Sequence, residues 1–125
     1  MTQLSVSKDI VRVLGPLVAQ RCYQRTFMQP DGGLPPWPAI RFVFASVDPG
    51  ATICGDGGDD GADYRVQIDL ADAYTKGEAS FQTLRAQVLA AMQTLGGAFV
   101  WAGQRDEFDA ESKTLRCSLD YLVYQ

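Results

Sequence analysis

The chain contains no histidine, and that absence removes the commonest general base, the usual catalytic triads and most zinc sites. Cysteine is scarce: Cys22, Cys54 and Cys117 are odd in number and far apart, which suits neither a disulfide framework nor a C-x-x-C metal set. Reduced, mostly buried thiols are expected. No stretch approaches the roughly 18 consecutive apolar residues of a membrane span. The start, Met1-Thr2-Gln3-Leu4-Ser5, lacks the charged leader and apolar run of a signal peptide, so a cytoplasmic chain with no membrane partner is expected.

What is present is one domain's worth of chain. With 125 residues, 46% of them apolar, the sequence can bury one core, and residues 1–125 are expected to form a single domain. The formal net charge of −4 is local, because Asp48, Asp56, Asp59, Asp60 and Asp63 fall in one stretch without a base, leaving ten acids against eleven bases elsewhere. Nothing has the basic footprint of a nucleic-acid binder, and direct DNA or RNA binding is not expected.

Val6, Ile10, Val13, Leu14 and Leu17 share one face of a short helix that Ser5 or Ser7 can cap and that Gly15-Pro16 should bend or end. Residues 21–27 read as a strand, and the prolines at 30, 35, 36 and 38 around Trp37 exclude regular pairing there. Ile40, Phe42 and Phe44 alternate with Arg41, Val43 and Ala45, predicting a strand over 39–47. Tyr64, Val66, Ile68 and Leu70 alternate with Arg65, Gln67 and Asp69, predicting a second strand with its polar row in water and a hairpin across the acidic segment.

Thr75-Lys76-Gly77-Glu78 has capping-box spacing, and Phe81, Leu84, Val88, Met92 and Leu95 make the apolar stripe of a helix ended by Gly96-Gly97. The rest reads as a hairpin: 98–106, a turn near Asp109-Ala110-Glu111, then 114–124 with Leu115, Cys117, Leu119, Tyr121 and Val123 on one side. The order predicts an α+β fold, a mainly antiparallel sheet of four to five strands with two helices on one face.

Candidate chemistry is thin. The acidic Gly-rich segment 48–63 is expected to be a mobile solvated loop; as a cation site it offers Asp56, Asp59 and Asp60, but without the acid pattern and closing glutamate of an EF-hand. Its glycines are followed by no Gly-Lys-Ser/Thr, and its aspartates repel phosphate, so nucleotide binding is not expected. Asp106, Glu107, Asp109 and Glu111 read as a solvated hairpin tip rather than an acid/base pair. The segment Leu34-Pro35-Pro36-Trp37-Pro38 has two open readings, an interface arm or a rigid connection packed on the core by its tryptophan.

The arrangement resembles the phage tail-terminator or tail-completion family over most of the chain. It is carried by the short first helix, the Pro-rich run into Pro38-Ala39-Ile40-Arg41-Phe42-Val43-Phe44, and Tyr64-Arg65-Val66-Gln67-Ile68-Asp69-Leu70 leading to the Phe81–Leu95 helix. The ending Asp106-Glu107-Phe108-Asp109-Ala110-Glu111, then Leu115-Arg116-Cys117-Ser118-Leu119-Asp120-Tyr121-Leu122-Val123, completes it.

The resemblance implies a structural tail protein of a phage or prophage, no enzyme, no catalytic residue and no cofactor. It further implies a ring of identical copies, commonly sixfold, that closes the tail tube, docks on the head-proximal connector, and passes through the host cytoplasm during assembly. A ring needs heterologous contacts, for which Trp37 and the apolar end at Leu122 and Tyr124 are the candidate surfaces. An acidic loop facing a DNA passage would repel phosphates. The alternative from another class is a cation- or small-ligand-binding module using residues 48–63.

Overall fold

The computed structural model describes residues 2–28, 31–48 and 62–124. Helix α1 spans Gln3–Leu14, and its start is sharper than the apolar spacing predicts. The Thr2 hydroxyl accepts from the Ser5 amide at 3.2 Å while the Ser5 hydroxyl accepts from the Thr2 amide at 2.9 Å. This is a reciprocal capping box with serine in the place usual for glutamate. Ser5 is therefore the third helical residue and not the cap. Gly15-Pro16 converts the end into a 3₁₀ turn over Gly15–Val18.

Strand β1 is Cys22–Gln24, shorter than the expected 21–27. Arg25 takes φ 75°, a left-handed conformation, and donates its amide to Phe42 O at 2.8 Å, which turns the chain out of the sheet and lets Phe27 fold back over it. Strands β2 (Ala39–Asp48) and β3 (Asp63–Ala73) pair antiparallel, as the alternation predicts, with one bulge at Phe44/Ser46. Helix α2 runs Glu78–Gln93, followed by β4 (Phe99–Asp109) and β5 (Thr114–Val123).

Thr75 does not cap α2. It lies in a 3₁₀ turn over Tyr74–Lys76, and Gly77, at φ 88°, occupies the cap position with no side-chain bond. Glycine adopts that left-handed φ at little cost, which lets the chain pass from the 3₁₀ turn into α2 at residue 77. Gly96, at φ 98°, does reverse the chain after α2.

The sheet order is β1-β2-β3-β5-β4, with β1 parallel to β2 and every other pair antiparallel. Ile40, Phe42, Val66, Ile68, Leu70, Leu119, Tyr121 and Val123 point to one face, where Val6, Ile10 and Leu14 of α1 and Phe81, Leu84, Val88 and Met92 of α2 cover them. The architecture is α+β, two helices on one face of a five-stranded sheet. Among the described residues, no helix is long and apolar enough to cross a membrane.

The other face departs from the expectation of a water-facing row. Phe27, Ala39 and Ala71 form a second buried cluster, flanked by Tyr23 and Trp37, so the segment after β1 covers that end of the sheet. Asp69 is thereby buried to 3% exposure in the middle of a strand whose neighbour Arg65 faces solvent.

Candidate assembly surfaces

Burying Asp69 requires partners, and the sheet register supplies them. Arg41 on β2 and Ser118 on β5 stand directly opposite it. Its Oδ2 accepts from Arg41 Nε at 2.9 Å and from Arg41 Nη2, and its Oδ1 accepts from Ser118 Oγ at 2.6 Å and Gln67 Nε2 at 2.9 Å. Every oxygen is matched, as a buried carboxylate demands. The guanidinium carbons of Arg41 and Arg116 each lie 5.0 Å from the Phe27 ring centroid, and Phe27 meets Trp37 edge to face at 5.5 Å. This network is self-satisfied. It fastens the Pro-rich segment to the sheet.

Trp37 accordingly sits half-buried on its own chain, against Phe27 and with Arg116 5.6 Å from its ring. Leu122 is half-buried on the helix-free face between Arg65 and Val100, and Tyr124 is exposed just past the end of β5. Asp56, Asp59 and Asp60, with Cys54 and most of the 48–63 segment, lie outside the described residues. Among the described residues, no group of three His, Cys, Asp or Glu side chains is placed to hold a metal.

The hairpin carboxylates do not converge on a reaction centre. Asp109 accepts from Ser112 Oγ at 2.7 Å and from Arg116 Nη2 at 3.1 Å, and the Ser112 bond foremost, then the Arg116 charge, holds its carboxyl below the usual range. It serves the turn. Arg105 and Glu107 pair with each other at 3.3 Å on the open surface.

Burial pushes the Cys22 thiol up to about 12. Burial, then the Asp106 carboxylate across the strand pair, does the same for Cys117. Neither thiol is a nucleophile at neutral pH. An exposed thiol ionises near pH 8.5, so above that the unfolded chain releases protons that the folded chain keeps. This contribution to stability is complete below about pH 8.5 and is lost as pH rises toward 12. Iodoacetamide at pH 7.5 is expected to label Cys22 and Cys117 only in denaturant; equal labelling rates with and without urea would refute their burial.

Among the described residues, open surface is found at both lateral edges of the sheet. At one, β4 pairs, among the described residues, with β5 alone and exposes Val100, Trp101 and Phe108. Trp101 stands opposite Tyr121, on the helix side of the sheet and next to a bulge at Trp101/Gly103, and its indole N–H donates to Gly103 O at 2.9 Å, fixing the ring while it stays 48% exposed. Trp101 also lines a groove of about 580 Å³ with Leu89 of α2, Phe99 and Tyr121. At the opposite edge, α1 and β1 enclose a shallower groove of about 380 Å³ lined by Ser7, Lys8, Val11, Arg12, Gln24 and Phe42. Trp101 was not among the sequence candidates, because its place beside Val100 breaks the alternation that marks which residue of a strand faces out. Two adjacent large apolar residues in a strand are the available signal of a bulge or an apolar edge.

The family model described as tail completion protein gp17 matches residues 8–125 of the chain. Among solved structures, a chain of one described as "Virion of native gene transfer agent (GTA) particle" is similar with a TM-score of 0.64 and 16% identity, covering 98% of this chain and 93% of that one. At that identity the likeness concerns the fold alone. Comparison with the curated proteins found no match.

Proposed function

The chain belongs to the tail completion protein gp17 family and is a structural protein of a phage-type tail, and from that premise we propose that identical copies form a ring closing the end of the tail tube and docking on the head-proximal connector. The domain of residues 1–125 acts through its surfaces and carries out no reaction. The observation that carries this reading is the pair of unlike open edges. The β4 edge, Phe99–Asp109, is blunted by charge at Arg105, Asp106 and Glu107, yet at its start it leaves Val100 and Trp101 exposed. A different groove lies at the opposite edge, so each copy has two unlike contact surfaces, which is what a head-to-tail ring requires.

The test is genetic and visual. Particles made without the chain are expected to show heads separated from tails, or tails of uncontrolled length, in electron micrographs, with recovery when the chain is supplied in trans. Normal joined particles in its absence would sink the reading. Mass measurement of the protein released from purified tails then gives the number of copies directly.

A further inference from the structure

The two edges differ in charge as well as shape. Residues 2–28, which build α1 and β1, carry Lys8, Arg12, Arg21 and Arg25 against the single carboxylate Asp9. Residues 99–113, which build β4 and its turn, carry Asp106, Glu107, Asp109 and Glu111 against Arg105 and Lys113. The sheet order places these segments at opposite edges, four strand spacings or roughly 19 Å apart, so within one copy they do not neutralise each other. On adjacent copies they would.

The groove between α1 and β1 also has a shape and chemistry suited to one side chain in particular. Val11 supplies exposed apolar surface next to the buried Phe42, and Lys8 and Arg12, both exposed, contribute cations beside it. An apolar slot with cations at its border favours an aromatic ring over an aliphatic chain, because the cations are attracted to the ring face. The β4 edge presents such a ring already fixed in place by its bond to Gly103, so little freedom is lost when it docks.

Building on the assembly reading above, we propose that Trp101 of one copy inserts into the α1–β1 groove of the next, with Asp106, on the same face of the strand as Trp101, meeting the cationic flank around Lys8, Arg12 and Arg25. The occupant of the groove is thus a second copy of this chain. Each copy contributes the tryptophan at one edge and the groove at the other, so the contact is heterologous and repeats around a ring.

The decisive experiment places a photo-cross-linking residue in the full chain, Trp101→p-benzoylphenylalanine, and irradiates assembled particles. The expected product is a covalent dimer of this chain, with the cross-link mapping by mass spectrometry to residues 7–12, Gln24 or Phe42 of the other copy. Cross-links to a different protein, to another region of this chain, or to nothing overturn the proposal. As a second measurement, Trp101→Ala is expected to lower incorporation into particles by about tenfold and Trp101→Phe by much less, the usual behaviour of an interfacial aromatic anchor. Circular dichroism of both variants checks folding, and equal incorporation of the alanine variant and wild type counts against the contact. If the wild-type chain is absent from particles, the tail reading itself fails; if it is present but cross-links elsewhere, only this interface does.

Discussion

Replacing Asp69 by alanine is expected to destabilise the protein by roughly 3 kcal/mol, the cost of removing one partner from a buried ion pair. The loss has an identifiable source. Asp69 is 3% exposed and accepts from Arg41, Gln67 and Ser118, so its removal leaves three donor side chains without their acceptor, one of them a guanidinium that also loses its counter-ion. Arg41 is itself about one-third exposed, which lets water recover part of its hydration and keeps the figure at the lower end of the range for fully buried pairs. Asp69→Asn separates the contributions. The amide retains one acceptor oxygen but no charge, so a smaller loss is expected. Urea unfolding of the two variants checks the ordering, and an alanine variant within about 0.5 kcal/mol of wild type, the usual range for exposed substitutions, would show that the network does not hold the sheet.

The second large effect is expected at Leu119→Ala, roughly 3–4 kcal/mol, from lost apolar burial and the cavity left behind. Leu119 is fully buried on β5, flanked by Ile68 on β3 and Gln104 on β4, on the face covered by the helices. Paired strands hold it on both sides, so collapse around the deletion is limited. A fall in melting temperature of about 10 °C is expected for a domain of this size. By contrast Val100→Ala, on the same hairpin but exposed, is expected to change stability by about 0.5 kcal/mol or less. Similar losses at the two positions would mean that β4 is more deeply packed than its exposure indicates.

The comparison between sequence and structure turns on which signals are local. Phe81, Leu84, Val88 and Met92 announce α2 because their spacing is a property of one helix, and all four are buried. The alternations of β2, β3 and β5 were legible for the same reason, since each strand has one face on the same core. Asp69 was not, because its burial depends on Phe27 and Trp37 folding back from a distant segment, and nothing in the alternation of β3 records that cover. The shortness of β1 follows from one left-handed residue, Arg25, of a type seldom found in that conformation. The Pro-rich segment stands out by its composition, yet its tryptophan packs on its own sheet. The exposed tryptophan is on a strand edge that only the sheet order reveals.

Arg116 joins parts of the molecule that are otherwise separate. Its guanidinium bonds Asp109 and Ser112 in the β4–β5 turn at 3.1 and 3.3 Å and Thr114 at 3.0 Å, while the same group lies on Phe27, shortly after β1, and on Trp37 of the Pro-rich segment. Loss of that one guanidinium would therefore loosen the hairpin turn and the cover on the helix-free face together.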